Sequence, residues 1–276
     1  AVCFASPVTA PGMIYVYGRQ ASDTRKMEKL DIDKGNIYFG GQEVMTIFNN
    51  VFVPWERVFM DGETDFTTMI VERFAGYHRQ SYGGCKVGVG DTLIGAAKAI
   101  TDYQGVSKAS HVKDKLIEMC HLNETLYACG IACSAEGRKT AAGNYLIDLL
   151  LANICKQNVT RFPYEIARIA QDLAGGYFVT MPSDKDFAHP GIGSLVRKYS
   201  VTNPDVPAEH RQRMGRLVEN LTQGAAAVGY LTESMHGAGS PQAQRIMIGR
   251  LVDMNYRKEL AEKLCGVQEN SDIDWK

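Results

Sequence analysis

The spacing of hydrophobic residues divides the chain into two parts with different periods. Up to residue 62, apolar and polar positions alternate in segments rich in β-forming residues, and Pro-Gly, Lys-Gly and Gly-Gly pairs separate these segments. The predicted strands lie within residues 1–8, 13–17, 36–39 and 44–59. Pro54 lacks the N–H group that a central strand needs, so it predicts a strand edge or the exit from the sheet.

From residue 66 onward, apolar residues recur every three or four positions, which is typical of helices. The predicted helices cover residues 66–104, 109–137, 142–174, 207–228 and 241–265. Pro163 is expected to kink or split the third helix, Gly175 to end it, and Ser240 with Pro241 to begin the last helix. The change of period predicts a mainly α protein with a small β region at 1–62 and a helical domain at 63–276.

Composition narrows the class of protein. With 276 residues, of which 45% are hydrophobic and 22% charged, the chain is typical of a globular protein. Its 30 basic and 31 acidic residues give a net charge of −1, which offers no strong field to nucleic acid or an anionic membrane. Seven dispersed cysteines, with no signal-peptide pattern and no apolar run long enough for a membrane span, indicate a reducing, cytoplasmic setting. Because the chain begins at Ala1 within a predicted strand, we expect a piece of a longer or processed protein.

The strongest candidate site lies between residues 75 and 86. His78, Tyr82 and Cys85 are spaced i, i+4 and i+7, so a helix presents their imidazole, phenol and thiol groups on one face. Gly83 and Gly84 each cost roughly 1 kcal/mol inside a helix, which favours a bulky group approaching the backbone there. The alternative is an ordinary amphipathic helix, because two metal ligands fall short of the four that a closed site takes.

Two further segments carry weaker candidates. Residues 232–241 are predicted to form a polar loop before a helix, with Glu233 and His236 as candidate proton carriers, or else a plain connector. Gln171, Gly175 and Gly176 either let a ligand approach the backbone or simply end a helix.

Other reactive residues are less informative. Glu43 follows two glycines in a β segment and is, by itself, most consistent with a solvated side chain. Cys129 and Cys133 lie one turn apart, with Cys120 upstream, and could form a second metal cluster. Their apolar surroundings favour cysteines that pack as small hydrophobic side chains.

Four segments together resemble a known family. Residues 78–85, 158–168, 171–176 and 232–242 are similar to the C-terminal half of the 4-hydroxybutyryl-CoA dehydratases, within the 4-hydroxyphenylacetate 3-hydroxylase superfamily. The resemblance covers essentially the whole chain and implies an acyl-CoA dehydrogenase-like architecture. Residues 1–62 would then end the middle β domain, and residues 63–276 would form the C-terminal helical bundle that assembles a homotetramer.

The resemblance also implies cofactors. The family's FAD would contact Gln171, Gly175 and Gly176, and in a tetramer the FAD would be that of a neighbouring subunit. A 4Fe-4S cluster would be held by one histidine and three cysteines, of which only His78 and Cys85 match in this sequence. The other two cysteines belong to the N-terminal domain, so we expect either a companion polypeptide or a longer enzyme.

The implied activity is the dehydration of 4-hydroxybutyryl-CoA to crotonyl-CoA, together with vinylacetyl-CoA Δ-isomerisation. In the family's mechanism a base removes a proton at C2, oxidation by FAD acidifies C3, and hydroxide leaves C4 with Lewis-acid help. His78 would be both a weak iron ligand and the base, and Tyr82 would donate or accept a hydrogen bond near the reacting carbons. Glu233, and less securely Glu43, would shuttle protons.

Two other functions remain open from the sequence. One is a flavin-dependent aromatic hydroxylase of the same superfamily, which needs oxygen but no iron; the spacing of His78 and Cys85 argues against it. The other is a cluster-free half-chain with a binding or assembly role. Iron and labile-sulfide content, and the intact mass of the native assembly, separate these alternatives.

Overall fold

The computed structural model describes residues 1–17 and 44–267. The strands of its β part are β1 (Val2–Phe4), β2 (Met13–Tyr17), β3 (Val44–Phe48) and β4 (Val58–Asp61). They form two antiparallel pairs, β1 with β4 and β2 with β3. The predicted strand at 36–39, like Glu43, lies outside the described residues.

Aromatic packing and a proline shape this β part. The rings of Phe4 and Phe48 lie edge to face with their centroids 5.7 Å apart, which brings the two strand pairs together. Pro54 precedes a short 3-10 turn, Trp55–Arg57, and the chain enters β4 directly afterwards. Pro54 thus lies in the connection between β3, which ends at Phe48, and β4, which begins at Val58, so the strand predicted within residues 44–59 is divided in two.

The rest of the described chain is dominated by helices, which confirms the mainly α fold. A small hairpin, β5 (Arg138–Lys139) with β6 (Tyr145–Leu146), interrupts them, and a π-helical segment spans Val228–Thr232. The helices are α1 (Thr67–Tyr103), α2 (Ser110–Ala135), α3 (Leu149–Val159), α4 (Phe162–Ala174), α5 (Asp184–Ala188), α6 (Gly193–Ser200), α7 (Ala208–Thr222), α8 (Ala225–Ala227), α9 (Glu233–His236), α10 (Pro241–Leu251) and α11 (Met254–Leu264).

Several helix ends fall where the sequence predicts them. Pro163 lies in the first turn of α4 and separates that helix from α3, because a proline inside a continuous helix would remove a backbone hydrogen bond. Gly175 ends α4 with φ of 73°, a conformation that glycine adopts without strain. Pro241 begins α10, with Ser240 at the N-cap position.

Other boundaries correct the sequence prediction. Residues 142–148 are not helical, because the chain first forms β6 and then caps α3 through Asp148, whose carboxylate accepts a 2.7 Å hydrogen bond from the Leu151 N–H. The predicted helix over 241–265 is broken where Asp253 caps α11 in the same way. The predicted helix over 207–228 ends at Thr222. The two short helices α5 and α6 lie in a stretch for which no helix was predicted.

Helix α1 is the axis of the helical part and packs against α2, α3, α4 and α7. The main core forms between these helices, and its largest fully buried members include Leu93, Ile100, Met119 and Ile166. Helix α1 has 37 residues. The buried face of its C-terminal half lies in this core, and the buried face of its N-terminal half faces α3 and α9. The N-terminal half positions the candidate site.

The two adjacent glycines of α1 have different surroundings. A Cβ atom on Gly83 would lie 2.6 Å from the Cα atom of Gly130 in α2, whereas a Cβ atom on Gly84 would meet nothing within 4 Å. The bulky group predicted beside these glycines is, at Gly83, the backbone of α2 itself. Gly83 is therefore explained by helix packing, and Gly84 lies on the open side of α1.

Candidate active site

Helix α1 places His78 and Tyr82 against each other, as their spacing predicts. The imidazole and phenol rings stack with centroids 5.3 Å apart and an angle of 11° between their planes. Tyr82 is buried, with 2% of its surface exposed, whereas His78 is half-buried. Cys85 lies nearly two turns beyond His78 and is exposed. Its partial burial raises the pKa of its thiol. The imidazole and the thiol therefore lie at the accessible edge of a buried phenol.

The Tyr82 hydroxyl links α1 to a carboxylate on α9 through a hydrogen bond. It donates a hydrogen bond to Oε1 of Glu233, and the ammonium group of Lys86 donates to Oε2 of the same carboxylate. Lys86 also donates a 2.5 Å hydrogen bond to the carbonyl oxygen of Gly229. Both carboxylate oxygens are thus occupied by donors that α1 supplies at positions i and i+4.

The charges around Glu233 keep it ionised. Burial raises the pKa of Glu233, but hydrogen bonds from Lys86 and Tyr82, with the charges of Lys86 and Lys156, outweigh burial and hold its pKa below the ordinary value. A carboxylate in this state accepts hydrogen bonds and carries no proton to donate. Glu233 therefore accepts the hydrogen bond of Tyr82 as an anion.

The surroundings of Glu233 differ from the predicted polar loop. Glu233 begins α9 directly after the π-helical segment, so it is a helical residue. The chain turns away at Gly237, where a Cβ atom would lie 2.2 Å from the Tyr82 hydroxyl and 2.3 Å from Oε1 of Glu233. Glycine is required there because any side chain would separate the phenol from the carboxylate.

Sequence reasoning did not identify three buried cations at this site. Arg79 and Lys86 lie on the buried face of α1, and Lys156 lies on α3 with 0% of its surface exposed. Arg79 donates to the carbonyl oxygen of Ala238 at 3.0 Å and to Oδ1 of Asn153 at 2.7 Å. One signal was available in the sequence: Lys156 follows a predominantly apolar run in a predicted helix, where a lysine is unusual unless it has a partner.

The residues predicted to contact a cofactor lie at a separate place, after α4. A cavity of about 420 Å³ is lined by Gly175, Asp172, His111, Lys115 and the turn after α1. Side chains at Gly175 and Gly176 would meet nothing within 4 Å, so a ligand can approach the backbone there. Gln171 instead donates to the Thr222 hydroxyl at 3.0 Å, which ties α4 to α7.

The metal ligands predicted from the sequence are incomplete within this chain. Among the residues that the structure describes, no three His, Cys, Asp or Glu side chains come together in a way that could hold a metal ion. Cys133 is buried beside Cys155, and Cys120 is exposed, so the weaker candidate cluster at 120–133 is packing. His78 and Cys85 supply one imidazole and one thiol at an accessible face and would need two further ligands.

Comparison with known proteins defines the class to which the chain belongs. The C-terminal model of the 4-hydroxyphenylacetate 3-hydroxylase family matches residues 67–266, and its N-terminal model matches residues 1–60. The chain belongs to the 4-hydroxyphenylacetate 3-hydroxylase family. No helix in the described part of the chain has the length and apolar character needed to cross a membrane.

Within this class, the chain is similar in sequence to dehydratases. It is 62% identical to the 4-hydroxybutyryl-CoA dehydratase/vinylacetyl-CoA-Δ-isomerase of Clostridium aminobutyricum, over 97% of this chain and 56% of that protein. The structure of an oxygen-tolerant archaeal 4-hydroxybutyryl-CoA dehydratase from N. maritimus matches with a TM-score of 0.93 and 58% identity, over 99% of this chain and 54% of that one. The chain thus spans about half the length of these relatives.

More distant structures show the fold alone. The oxygenase component HpaB of 4-hydroxyphenylacetate 3-monooxygenase, complexed with FAD, matches with a TM-score of 0.83 and 21% identity, over 95% of this chain and 55% of that one. An acyl-CoA dehydrogenase from Slackia heliotrinireducens matches with a TM-score of 0.51 and 12% identity, over 93% and 53%. The predicted acyl-CoA dehydrogenase-like architecture is confirmed.

Proposed function

We propose that this chain is the C-terminal part of an enzyme that dehydrates 4-hydroxybutyryl-CoA to crotonyl-CoA and isomerises vinylacetyl-CoA. The observation that carries the proposal is the hydrogen-bonded series from Tyr82 to Glu233, with His78 stacked on the phenol. The hydrogen bond joins a buried phenol to an ionised carboxylate, and the stacking places an accessible imidazole beside that phenol, so three groups that can take part in acid–base chemistry lie together. The 62% identity to a dehydratase/isomerase supports the same reaction.

The geometry supports a division of the proton-handling roles. His78 lies at the accessible edge and would take the proton from the acyl chain, whereas Tyr82 would donate or accept a hydrogen bond beside the reacting carbons. Glu233 would position or shuttle protons through the hydrogen bond that it accepts from the Tyr82 hydroxyl. Lys86 would hold the second carboxylate oxygen so that Glu233 keeps its orientation. Glu43 keeps its proposed role as a further proton carrier, outside the described residues.

Two cofactors fit the residues of this chain. The open backbone at Gly175 and Gly176, beside the cavity after α4, suits the approach of FAD, and HpaB is a family member with FAD bound. His78 and Cys85 suit part of a 4Fe-4S cluster, since imidazole and thiolate both bind iron. When bound, FAD would supply one-electron chemistry and the cluster a Lewis-acidic iron for the leaving hydroxide. The other two cysteine ligands would come from an N-terminal half, in the same enzyme or in a companion polypeptide.

The assembly and its setting complete the proposal. We infer a cytoplasmic homotetramer with an acyl-CoA substrate, in which each FAD contacts the 171–176 segment of a neighbouring subunit. The aromatic hydroxylases of the family are the second candidate, because they share this fold. Their lower identity, 25% for the 4-hydroxyphenylacetate 3-monooxygenase oxygenase component of Geobacillus sp., disfavours that candidate.

The test is made on the complete assembly, isolated without oxygen. We expect crotonyl-CoA from 4-hydroxybutyryl-CoA, interconversion of vinylacetyl-CoA and crotonyl-CoA, and iron near four per complete subunit. Cys85→Ala should lose iron and activity, whereas His78→Cys should keep much of the iron and lose turnover, because a thiolate does not replace the imidazole as a base. Cys120→Ala, at an exposed cysteine of α2, is the matched control and should retain both.

Two results would contradict the proposal. One is an unchanged iron content and rate in Cys85→Ala, which would remove Cys85 from the site. The other is oxygen-dependent hydroxylation of a phenol with no dehydration of the acyl-CoA, which would favour the second candidate.

A further inference from the structure

Lys156 occupies a position where the fold alone would favour an apolar side chain. It lies on α3 among Ala152, Cys155 and Val159, all with 0% of their surface exposed, and is itself fully buried. Transferring an ammonium group from water into such surroundings costs free energy unless it finds a partner. A lysine at this position therefore requires a specific interaction.

The partner of Lys156 is the turn that carries Glu233. Its ammonium group donates a hydrogen bond to the carbonyl oxygen of Ser234, the residue after Glu233. The Ser234 hydroxyl donates in turn to the carbonyl oxygen of Gly229 at 3.3 Å. Lys86 donates to that same carbonyl oxygen. Lys86 of α1 and Lys156 of α3 thus both donate hydrogen bonds to backbone carbonyls of this one turn.

This turn is irregular, which explains why it needs holding. The π-helical segment Val228–Thr232 immediately precedes Glu233, and π-helical turns leave carbonyl groups with altered partners and often occur at functional sites. The Gly229 carbonyl oxygen accepts from side chains of α1 and of the turn itself. Without these donors, the orientation of Glu233 towards Tyr82 would depend on α9, a helix of only four residues.

The charge of Lys156 also lies close to Tyr82 and Glu233. Its ammonium nitrogen lies 4.7 Å from the centroid of the Tyr82 ring, and that of Lys86 lies 4.9 Å from the same centroid. Burial lowers the pKa of Lys156 to about 8. The charge of Glu233 raises this pKa, and the charges of Lys86 and Arg79 lower it. Lys156 therefore still carries its charge at neutral pH. Together with Arg79 and Lys86 it gives the site an excess of positive charge over the single carboxylate of Glu233.

We propose that Lys156 is a positioning residue of this site, which fixes the Glu233 turn through the Ser234 carbonyl and directs its charge at the Tyr82–Glu233 pair. The role rests on the proposed function, since it acts through the residues that would move protons there. Lys156 does not itself contact His78 or Cys85 by any hydrogen bond in the described structure. It is therefore separable from iron binding.

The test compares three variants of the complete assembly. Lys156→Met removes the charge and the donor at similar length, Lys156→Arg retains both, and Lys113→Met at an exposed lysine of α2 is the matched control. We expect Lys156→Met to keep FAD and iron and to lower kcat at least about tenfold with little change in KM. Lys156→Arg should recover part of the rate, and Lys113→Met should match the unmodified enzyme.

The pH profile separates positioning from simple structural support. The Lys156 charge lowers the pKa of Glu233, so its removal should raise that pKa and move the acid limb of kcat/KM to higher pH. The other cations beside Tyr82 and Glu233, which are Arg79 and Lys86 on α1, are unchanged in Lys156→Met. An unaltered acid limb in a folded Lys156→Met enzyme would overturn the proposal. If that variant does not fold, Lys156→Gln is measured in its place by the same criteria.

An activity-independent measurement separates this proposal from the proposed function. Infrared difference spectra across pH detect the protonated carboxyl of Glu233, identified by the loss of its band in Glu233→Gln. A band that moves to higher pH in Lys156→Met, in an assembly without dehydratase activity, would support the role of Lys156 while the proposed reaction fails. A band that does not move, in an active dehydratase, would overturn the role of Lys156 and leave the reaction intact.

Discussion

Tyr82 is a buried side chain that lies between an accessible imidazole and an ionised carboxylate. Its ring stacks on His78, and its hydroxyl donates to Glu233. A buried hydroxyl without a partner is costly, so Glu233 also satisfies the phenol structurally. The proton-transfer role and the structural role of this hydrogen bond can be separated by removing one partner at a time.

Tyr82→Phe is expected to retain FAD and iron and to lower turnover by about 10²-fold, because the ring keeps its packing but loses the proton that it transfers. Glu233→Gln should behave in the same way, since glutamine retains the shape of the carboxylate and loses its basicity. The measurement is crotonyl-CoA formation beside flavin and iron content for each variant. Near-normal rates in both would mean that the pair only shapes the pocket. Arg168→Gln, at an exposed residue of α4, is the control for replacing a charged side chain.

Sequence reasoning identified His78, Tyr82, Cys85 and Glu233 but missed the buried cations Arg79, Lys86 and Lys156. The spacing of His78, Tyr82 and Cys85 indicates a shared face, because helical periodicity is a local property. The apolar run before Lys156 signals a buried lysine, but its partner, the Ser234 carbonyl 78 residues further along the chain, is known only from the packing of α3 against α9. A buried charge is recognisable from its partners, and these depend on the tertiary fold.

At the scale of elements, the crossing of α1 and α2 at Gly83 and Gly130 determines how closely these helices approach. We expect Gly83→Ala to destabilise the fold by about 1–3 kcal/mol, because the new methyl group would overlap the α2 backbone. Gly84→Ala is the matched control on the same helix. It should stabilise the fold by about 0.5–1 kcal/mol, since alanine loses less backbone entropy than glycine in a helix.

The measurement is the free energy of unfolding from denaturant titration, monitored by circular dichroism. Equal effects of the two substitutions would show that helix propensity, rather than the close crossing, determines the cost at Gly83.

Element prediction succeeded where the signals are local and failed where capping competes with periodicity. Pro163 and Gly175 act on the backbone within one turn, so the ends of α3 and α4 could be predicted. The break before α11 is set by the Asp253 carboxylate, which accepts a hydrogen bond from the Tyr256 N–H at 2.8 Å. The π-helical segment before Glu233 has no sequence signature, because its hydrogen bonds are completed by side chains from other helices.

At the scale of the whole molecule, large apolar side chains are exposed from the segment before β4 to the first turns of α1. Phe52, Trp55 and Phe59 are 83%, 75% and 69% exposed, and Phe66 and Phe74 are 55% and 69% exposed. So many large apolar side chains exposed within one stretch of chain, called here the apolar surface, indicate contact with another polypeptide surface. The proposed N-terminal half, which would also supply two cysteine ligands, is the partner that we expect there.

Trp55 can report on that contact. The chain contains two tryptophans, so Trp275→Phe leaves Trp55 as the only indole emitter. Acrylamide quenching of Trp55 should fall at least about twofold when the chain is assembled with an N-terminal polypeptide, as its exposed apolar surroundings become covered. The control carries Tyr199→Trp, at a position that is 77% exposed on α6, with both native tryptophans replaced by phenylalanine. Its quenching should not change if the N-terminal polypeptide covers the apolar surface and leaves α6 exposed. If Trp55 stays equally accessible in an assembly that has gained iron, the N-terminal half must dock elsewhere, and the two further cysteines would have to reach His78 and Cys85 without covering this surface.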